Sequence, residues 1–544
     1  MAKKPVVPVR PMASARITEA PAVSLYPDSQ SNKPVLLSPR SLLILTLLFA
    51  AAYFIFSFSS AGLYQQDEAA HFVSMLSFWH NPNIALSNWA KPGYKVLYAL
   101  PVLGGRNTVT LVNCLFSAFT CYFTYRAAEK RGVSNPLIAF VILALQPFWF
   151  MLAFRNYSEI PTAFLISLAL FLHTSRKRFF AALCISYICT MRQEFIPIAG
   201  MYGLYLLGLK SWLPALSLAI FPLLQNVWGW SATGDPIWLY NQVFNSSADI
   251  KEAYPRQGFA HYFQTSIVVF GPVAVALFIA NLFSAAFNKR LPDLLIVVPA
   301  IAYLLLNSLF QWQEVHIGPS TGGNLRYMLV IAPFVSIAAA AAFDEFKALD
   351  KKWALLLVMI PLLVIVATYM NYKHNYVILT EETDTKPTLG VLITLIALYI
   401  PMNYRTLTAA FGVIVLFFGL LNIRPKKMAE EDRTCKEMAN YYLANEEAFS
   451  KRQLYVNHSM FYFWLGRSSY DFAIPPIEIS DDAQMTKAKA GSLIFWDSHY
   501  SYRPHLKRGL NHEYFDTKPD TYRETYRLLA PDRTFAVITY DKLK

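Results

Sequence analysis

Between Ser41 and Ser60 the chain carries no charged residue over twenty positions. A helix of that length rises about 30 Å, the depth of the hydrocarbon core of a bilayer. A chain that enters this water-free layer must satisfy its backbone internally, so the rest of the sequence is constrained to be helical wherever it crosses. Further apolar runs predict spans at 107-125, 135-153, 159-174, 179-191, 195-209, 211-229, 263-287, 292-310, 327-343, 353-370, 387-402 and 406-423, about thirteen in all. The composition agrees: 55% of the residues are hydrophobic and 15% charged, against about 25% charged in ordinary soluble proteins, and the mean hydropathy is +0.32. The expected fold class is an α-helical polytopic membrane protein with a small C-terminal α/β domain.

Charge orients the spans. Lys and Arg outnumber Asp and Glu by 48 to 35, and the excess falls in short clusters between apolar runs. Those clusters follow the positive-inside rule and form no nucleic-acid footprint. Residues 1-40, with Lys3, Lys4, Arg10, Arg16, Lys33, Arg40 and many Pro and Ser, read as a disordered cytoplasmic tail before an uncleaved first span. Alternation from there places Arg126/Lys130/Arg131, Arg176/Lys177/Arg178, Lys210, Lys289/Arg290, Lys347/Lys351/Lys352 and Arg405 together on the cytoplasmic face. Residues 424-544 are richer in charge: Met428 to Ser450 predicts a helix, and 453-456, 492-496 and 534-539 predict strands. An odd span count puts this segment on the extracytoplasmic side. Four of the five cysteines lie in apolar runs, so no disulfide framework is expected.

The far face collects the residues with chemistry. Asp67 and Glu68 stand just beyond the first span, in a long loop, 61-106, whose stretch Ala69 to Trp79 puts Phe72, Met75, Leu76 and Trp79 at helical spacing and is expected to lie along the membrane interface. The pair reads either as solvated loop carboxylates or as a catalytic pair for transfer of a sugar to a hydroxyl, with Asp67 as the general base and Glu68 supporting it, or the two in reversed roles, since either member of an adjacent pair can face the substrate. Arg155, Arg192 and Arg326 stand at far-side span ends, where the positive-inside bias disfavours them. A leaving phosphate needs such planar cationic forks; snorkelling to lipid phosphate is the other reading. Glu159 closes Arg155-Asn156-Tyr157-Ser158-Glu159 before Pro161 and suits either a site role or the first turn of a helix. Glu194 lies two residues from Arg192 and can neutralise it, and His71 either orients a carboxylate, binds phosphate or packs at the interface. Gly318-Pro319-Ser320-Thr321-Gly322-Gly323 reads as a loop able to close over a substrate, without the Gly-Lys-Ser/Thr of a nucleotide-binding loop. No HExxH or His-rich spacing occurs, so a protein-built zinc site is not expected and no metal ligand is assigned.

With those residues in view, the chain resembles the GT-C superfamily of integral membrane glycosyltransferases, particularly bacterial members of the protein O-mannosyltransferase and aminoarabinose-transferase group. Four features carry the resemblance: Asp67-Glu68, Arg155 to Pro161 with Tyr157 and Glu159, Arg192-Gln193-Glu194, and Arg326-Tyr327 with Pro333. It implies a first-loop acidic residue as base, a polyprenyl-phosphate sugar as donor substrate and a bacterial inner-membrane location; no cofactor is assigned beyond that donor, with a divalent metal as the open alternative. A glycan, lipid or protein serves as acceptor. The Trp-Trp-Asp-Tyr-Gly run of oligosaccharyltransferases is missing, which argues against asparagine glycosylation. A transporter or flippase of lipid-linked sugars, or a non-catalytic envelope-assembly protein, are the competing classes. A transporter places its charges near mid-membrane on broken helices, whereas here they stand at one face.

Overall fold

The computed structural model describes residues 36-86, 91-244, 255-315, 322-347, 404-504 and 508-544, with short stretches between 360 and 397. The chain opens on α1 (Pro39–Ser59), started by Pro39 at its first position and by Ser38, whose hydroxyl accepts the Ser41 N–H at 3.1 Å. Leu47, Leu48, Ile55 and Phe58 of α1 face outward, the inside-out pattern of a helix against lipid. Beyond it come α2 (Asp67–Ser77), α3 (Pro92–Tyr98), α4 (Gly105–Lys130), α5 (Pro136–Ala144), α6 (Pro147–Leu152), α7 (Glu159–Thr174) and α8 (Arg178–Met191). Small residues on α4, including Ser117, Ala118, Cys121, Ala127 and Ala128, are fully buried and let α1 and α7 approach closely. Later come α9 (His261–Val269), α10 (Pro272–Phe287), α11 (Leu294–Phe310), α12 (Ala332–Lys347) and α13 (Tyr404–Asn422). The alanine run 338-342 of α12 is buried against α10.

The predicted spans are more broken than their hydropathy suggests. Among the described residues only Pro39–Ser59, Leu325–Glu345 and Arg405–Asn422 are single helices long and apolar enough to cross a membrane. Some are single helices under 18 residues, such as Glu159–Thr174, Arg178–Met191 and Leu294–Phe310, and others are broken at proline or glycine. The run 135-153 divides before Pro147, and 263-287 bends by 117° where Gly271, at φ 81°, hands over to Pro272. Most of 353-370 and 387-402 lies outside the described residues, as do 318-321 of the glycine-rich loop.

After α13 the chain forms α14 (Glu430–Ala444) and α15 (Ser459–Leu465) beside a four-stranded mixed sheet of β1 (Leu454–Val456), β2 (Leu493–Asp497), β3 (Tyr522–Leu529) and β4 (Ala536–Lys542). The order is β1-β2-β4-β3; β1 runs parallel to β2 and the other pairings are antiparallel. This part packs directly on the first loop. Phe72 of α2 meets Phe463 of α15 edge-on at 5.6 Å, and Phe72 and Met75 are buried. The apolar face of α2 is therefore covered by protein, not laid along the membrane interface. His80 bonds Asp471 at 3.1 Å and Arg106 lies over Phe463 and Trp464.

The turn out of α1 is locked to the segment leading into α14. Gly62 N–H donates to Lys426 O, Ser60 Oγ accepts the Lys426 N–H at 2.9 Å, and Leu63 N–H donates to Asp432 at 2.9 Å. A Cβ at Gly62 would stand 2.3 Å from Lys427 O and 2.9 Å from Met428 Cα, both backbone atoms. Gly62→Ala is therefore expected to lower stability by about 1–3 kcal/mol, as overpacking does. Thermal unfolding in detergent reads it as a fall in Tm.

Candidate active site

Asp67 and Glu68 open α2, where carboxylates are favoured by the helix dipole. Successive helical positions point ~100° apart, and the two side chains diverge. Glu68 turns inward, its side chain 10% exposed, accepting Tyr64 N–H at 3.1 Å, Arg155 Nη1 at 3.4 Å and Asn156 N–H at 3.4 Å. Arg155 continues this knot, donating to Gly62 O at 2.5 Å and Ser60 Oγ at 2.8 Å, with its guanidinium over Phe154. Both groups hold the end of α1 to the start of α7.

Asp67 is partly exposed, its side chain 38% so, and accepts from Arg326 Nη2 at its Oδ2 at 2.6 Å. Arg326 begins a chain of buried charges. Its Nε donates to Glu159 Oε1 at 3.3 Å, and Arg192 Nη1 reaches the same oxygen at 2.9 Å. Arg192 in turn holds Glu194 at 2.5 Å, and Tyr303 OH donates to Glu194 at 3.4 Å. Aromatic rings clamp the guanidinium planes: Tyr157 lies 4.3 Å from Arg326, and Tyr327 lies 4.6 Å from Arg192. Gln65 accepts from Arg326 Nη1, while Tyr157 OH accepts the Gln65 N–H at 3.0 Å. Asn324 Nδ2 donates to Gln65 Oε1 at 3.0 Å and fixes its amide.

Of the residues expected from sequence, Asp67, Glu159, Arg192, Glu194, Arg326, Tyr157 and Tyr327 thus form one network, and Glu68 with Arg155 forms a second, structural one beside it. His71 packs behind them: it is buried edge-on against Tyr94 at 5.4 Å, with Lys95 Nζ donating to its carbonyl at 3.0 Å and lying 3.1 Å from its Nδ1.

Lys91 does not stand out in the sequence, yet the structure places it at the centre of the charges. Its backbone takes the left-handed conformation at φ 57°, strained for a side-chain-bearing residue, just before Pro92. Its Nζ donates to Ser158 Oγ at 2.9 Å, the same hydroxyl that Arg192 Nη1 contacts at 3.3 Å. Burial, with Arg192 and Arg326 opposing and Glu159 favouring the charge, pulls its ammonium down to about 8. Lys91 and Arg192 therefore meet at Ser158, and Arg326 joins them through Glu159, with the partly exposed Asp67 carboxylate on its outer side. Such a set can hold a phosphate and present a base to a neighbouring hydroxyl.

The fold is shared with solved enzymes. The chain superimposes on the crystal structure of ArnT from Cupriavidus metallidurans bound to undecaprenyl phosphate with a TM-score of 0.52 at 12% identity, covering 92% of this chain and 98% of that one. The apo-state crystal structure of the same protein gives a TM-score of 0.54 at the same identity and coverage. Residues 235–389, which include Tyr262, Tyr303, Arg326 and Tyr327, match the Alg9-like mannosyltransferase family model. The fold is that of the ArnT structures. No curated protein matches the sequence. The aminoarabinose-transferase resemblance drawn from the sequence agrees with this shared fold and with the partial family match.

The two carboxylates are separable by stability. Glu68→Ala strands buried Arg155 and is expected to cost about 3 kcal/mol or more, whereas Asp67→Ala removes a partly exposed partner and is expected to cost under about 1 kcal/mol. Thermal unfolding of both variants in the same detergent checks the order.

Proposed function

We propose that this protein is a membrane glycosyltransferase of the GT-C type that moves a sugar from a polyprenyl-phosphate donor to a hydroxyl acceptor, a glycan, lipid or protein, at the extracytoplasmic face. The single observation that carries this reading is the Lys91–Ser158–Arg192–Arg326 cradle opening beside Asp67. The ArnT of the same fold was crystallised with a polyprenyl phosphate, undecaprenyl phosphate, bound to it. The membrane part is read as about thirteen spans, several of them broken, in a bacterial inner membrane with a cytoplasmic N-terminus.

Each group has a task in this chemistry. Lys91 and Arg192 take the donor's phosphate oxygens, the leaving group of the transfer, where charge grows in the transition state. Arg326 binds Asp67 through one oxygen and orients the other to the acceptor hydroxyl, whose proton Asp67 removes as oxygen attacks the anomeric carbon. Glu159 holds both arginines in register and touches no substrate. The donor is a substrate, and the chemistry calls for no further cofactor.

The deciding experiment incubates purified protein with polyprenyl-phosphate sugars and a cell-envelope extract, and follows label from donor to acceptor. Asp67→Asn keeps shape but loses the base, so turnover is expected to fall ~10²-fold or more with donor binding retained. Wild-type turnover in that variant would remove the first loop from the chemistry. Arg326→Lys keeps charge without the fork and is expected to lose most activity.

The Lys91 ammonium supplies a pH signature. It is charged below about pH 8 and loses that charge as pH rises through it, so donor affinity is expected to weaken above pH 8 in the wild type. Lys91→Arg should hold its affinity to higher pH. Donor titrations by isothermal calorimetry across pH 7 to 10 read both curves. For orientation, exposed Lys489 replaced by Cys should react with a membrane-impermeant maleimide in intact cells; labelling only after lysis would reverse the assigned topology.

A further inference from the structure

Three side chains that no part of the transfer chemistry uses converge where the C-terminal sheet meets the first loop. Glu431 lies in the first turn of α14, His458 caps the start of α15, and His499 follows β2. Glu431 Oε1 is 2.9 Å from His458 Nε2 and 2.9 Å from His499 Nδ1, and one donor atom from each residue lies within 4.8 Å of the other two. His458 is fully buried, its ring edge-on to Tyr500 at 4.8 Å and Phe535 at 5.6 Å. His499 is held by a tight turn in which Asp497 accepts the N–H of His499 at 3.0 Å and of Tyr500 at 2.5 Å, and Ser501 Oγ at 2.8 Å.

One carboxylate oxygen meets two ring nitrogens. A carboxylate oxygen only accepts and has two lone pairs, so as hydrogen bonds these contacts require an N–H from each ring at the same atom. His499 Nδ1 also stands 2.9 Å from the amide nitrogen of Gln66, which is itself a donor, while the Gln66 oxygen accepts from Tyr500 OH. Turning the Gln66 amide over puts its oxygen on His499 Nδ1 and its nitrogen on the Tyr500 oxygen. A cation among the three atoms uses the same convergence differently: both rings turn lone pairs to it and the carboxylate supplies charge.

We propose that Glu431, His458 and His499 bind a divalent cation of the zinc class, with a fourth position open toward Gln66. Two imidazole nitrogens and one carboxylate oxygen are a donor set that suits zinc, and oxygen-preferring magnesium and calcium far less. Coordination through Nε2 moves the His458 proton to Nδ1 and gives up the weak 3.2 Å bond from Met460 N–H: one helix-capping contact is exchanged for coordinate bonds. The ion ties α14, α15 and the turn after β2 into one body. Through Gln66 it abuts the residue preceding Asp67, so its part is positional.

The test reads metal content, not transfer, and stands apart from the proposed activity. Full-length untagged protein in detergent is loaded with zinc sulfate, desalted and assayed by inductively coupled plasma mass spectrometry. About one zinc per chain is expected in the wild type, and background in the His458→Gln/His499→Gln double variant. Equal zinc in both is adventitious binding and overturns the site, as does background zinc in the wild type. Should the double variant fail to fold, wild-type protein loaded with cobalt is measured in its place. Tetrahedral cobalt gives strong visible ligand-field absorption; its absence, or its persistence unchanged in Glu431→Gln, overturns the proposal.

Discussion

The Glu159 carboxylate, 1% exposed and shared by Arg192 and Arg326, is the interaction on which the rest of the site depends. A guanidinium buried without a counter-charge is costly, and two of them side by side are more so. Glu159 can serve both because it opens α7, where the N-terminal dipole favours negative charge, and because Ser158 beside it offers a hydroxyl to Arg192 and Lys91. Glu194 on Arg192 and Asp67 on Arg326 supply the remaining negative charge, so Lys91, Arg192 and Arg326 face three carboxylates. A buried array of this kind is poor as a source of stability. An incoming anion competes with Glu194 and Asp67 for the two guanidinium groups.

Much of this arrangement was legible in the sequence, and the remainder fails for identifiable reasons. Arginines at far-side span ends stood out because lipid topology disfavours them there, and Arg192 and Arg326 do meet. Arg155 shared the same signal but its fork turns to Gly62, Ser60 and Glu68 instead of to that pair, since span-end position says nothing about where a fork points. The adjacency of Asp67 and Glu68 hid their different fates, which a single ~100° helical step decides. Lys91 carried no signal: one lysine in a long polar loop is ordinary until its strained backbone and Ser158 are seen together. Glu431, His458 and His499 are spread over three elements, so no local motif could gather them.

The same contrast holds for the fold. The helix predicted from Met428 to Ser450 and the strands near 454, 493 and 536 are present because their apolar runs enter a core. Strand β3 was missed since Tyr522 to Leu529 alternates charged residues and sits at the sheet edge with most of its side chains in solvent. Span continuity was overread because hydropathy is blind to a Gly-Pro corner such as 271-272, whose chain stays apolar while its direction turns.

Gln66 is separated by more than 430 positions from the Tyr500 hydroxyl it accepts, and Leu63 by a comparable stretch from Asp432. The 424-544 segment is therefore no free appendage: changes in the loop after α1 bear on a surface several hundred positions further along the chain. Chimeras that exchange the C-terminal sheet between related transferases should work only when the first loop travels with it, and natural variation in the two segments should be inherited as a pair.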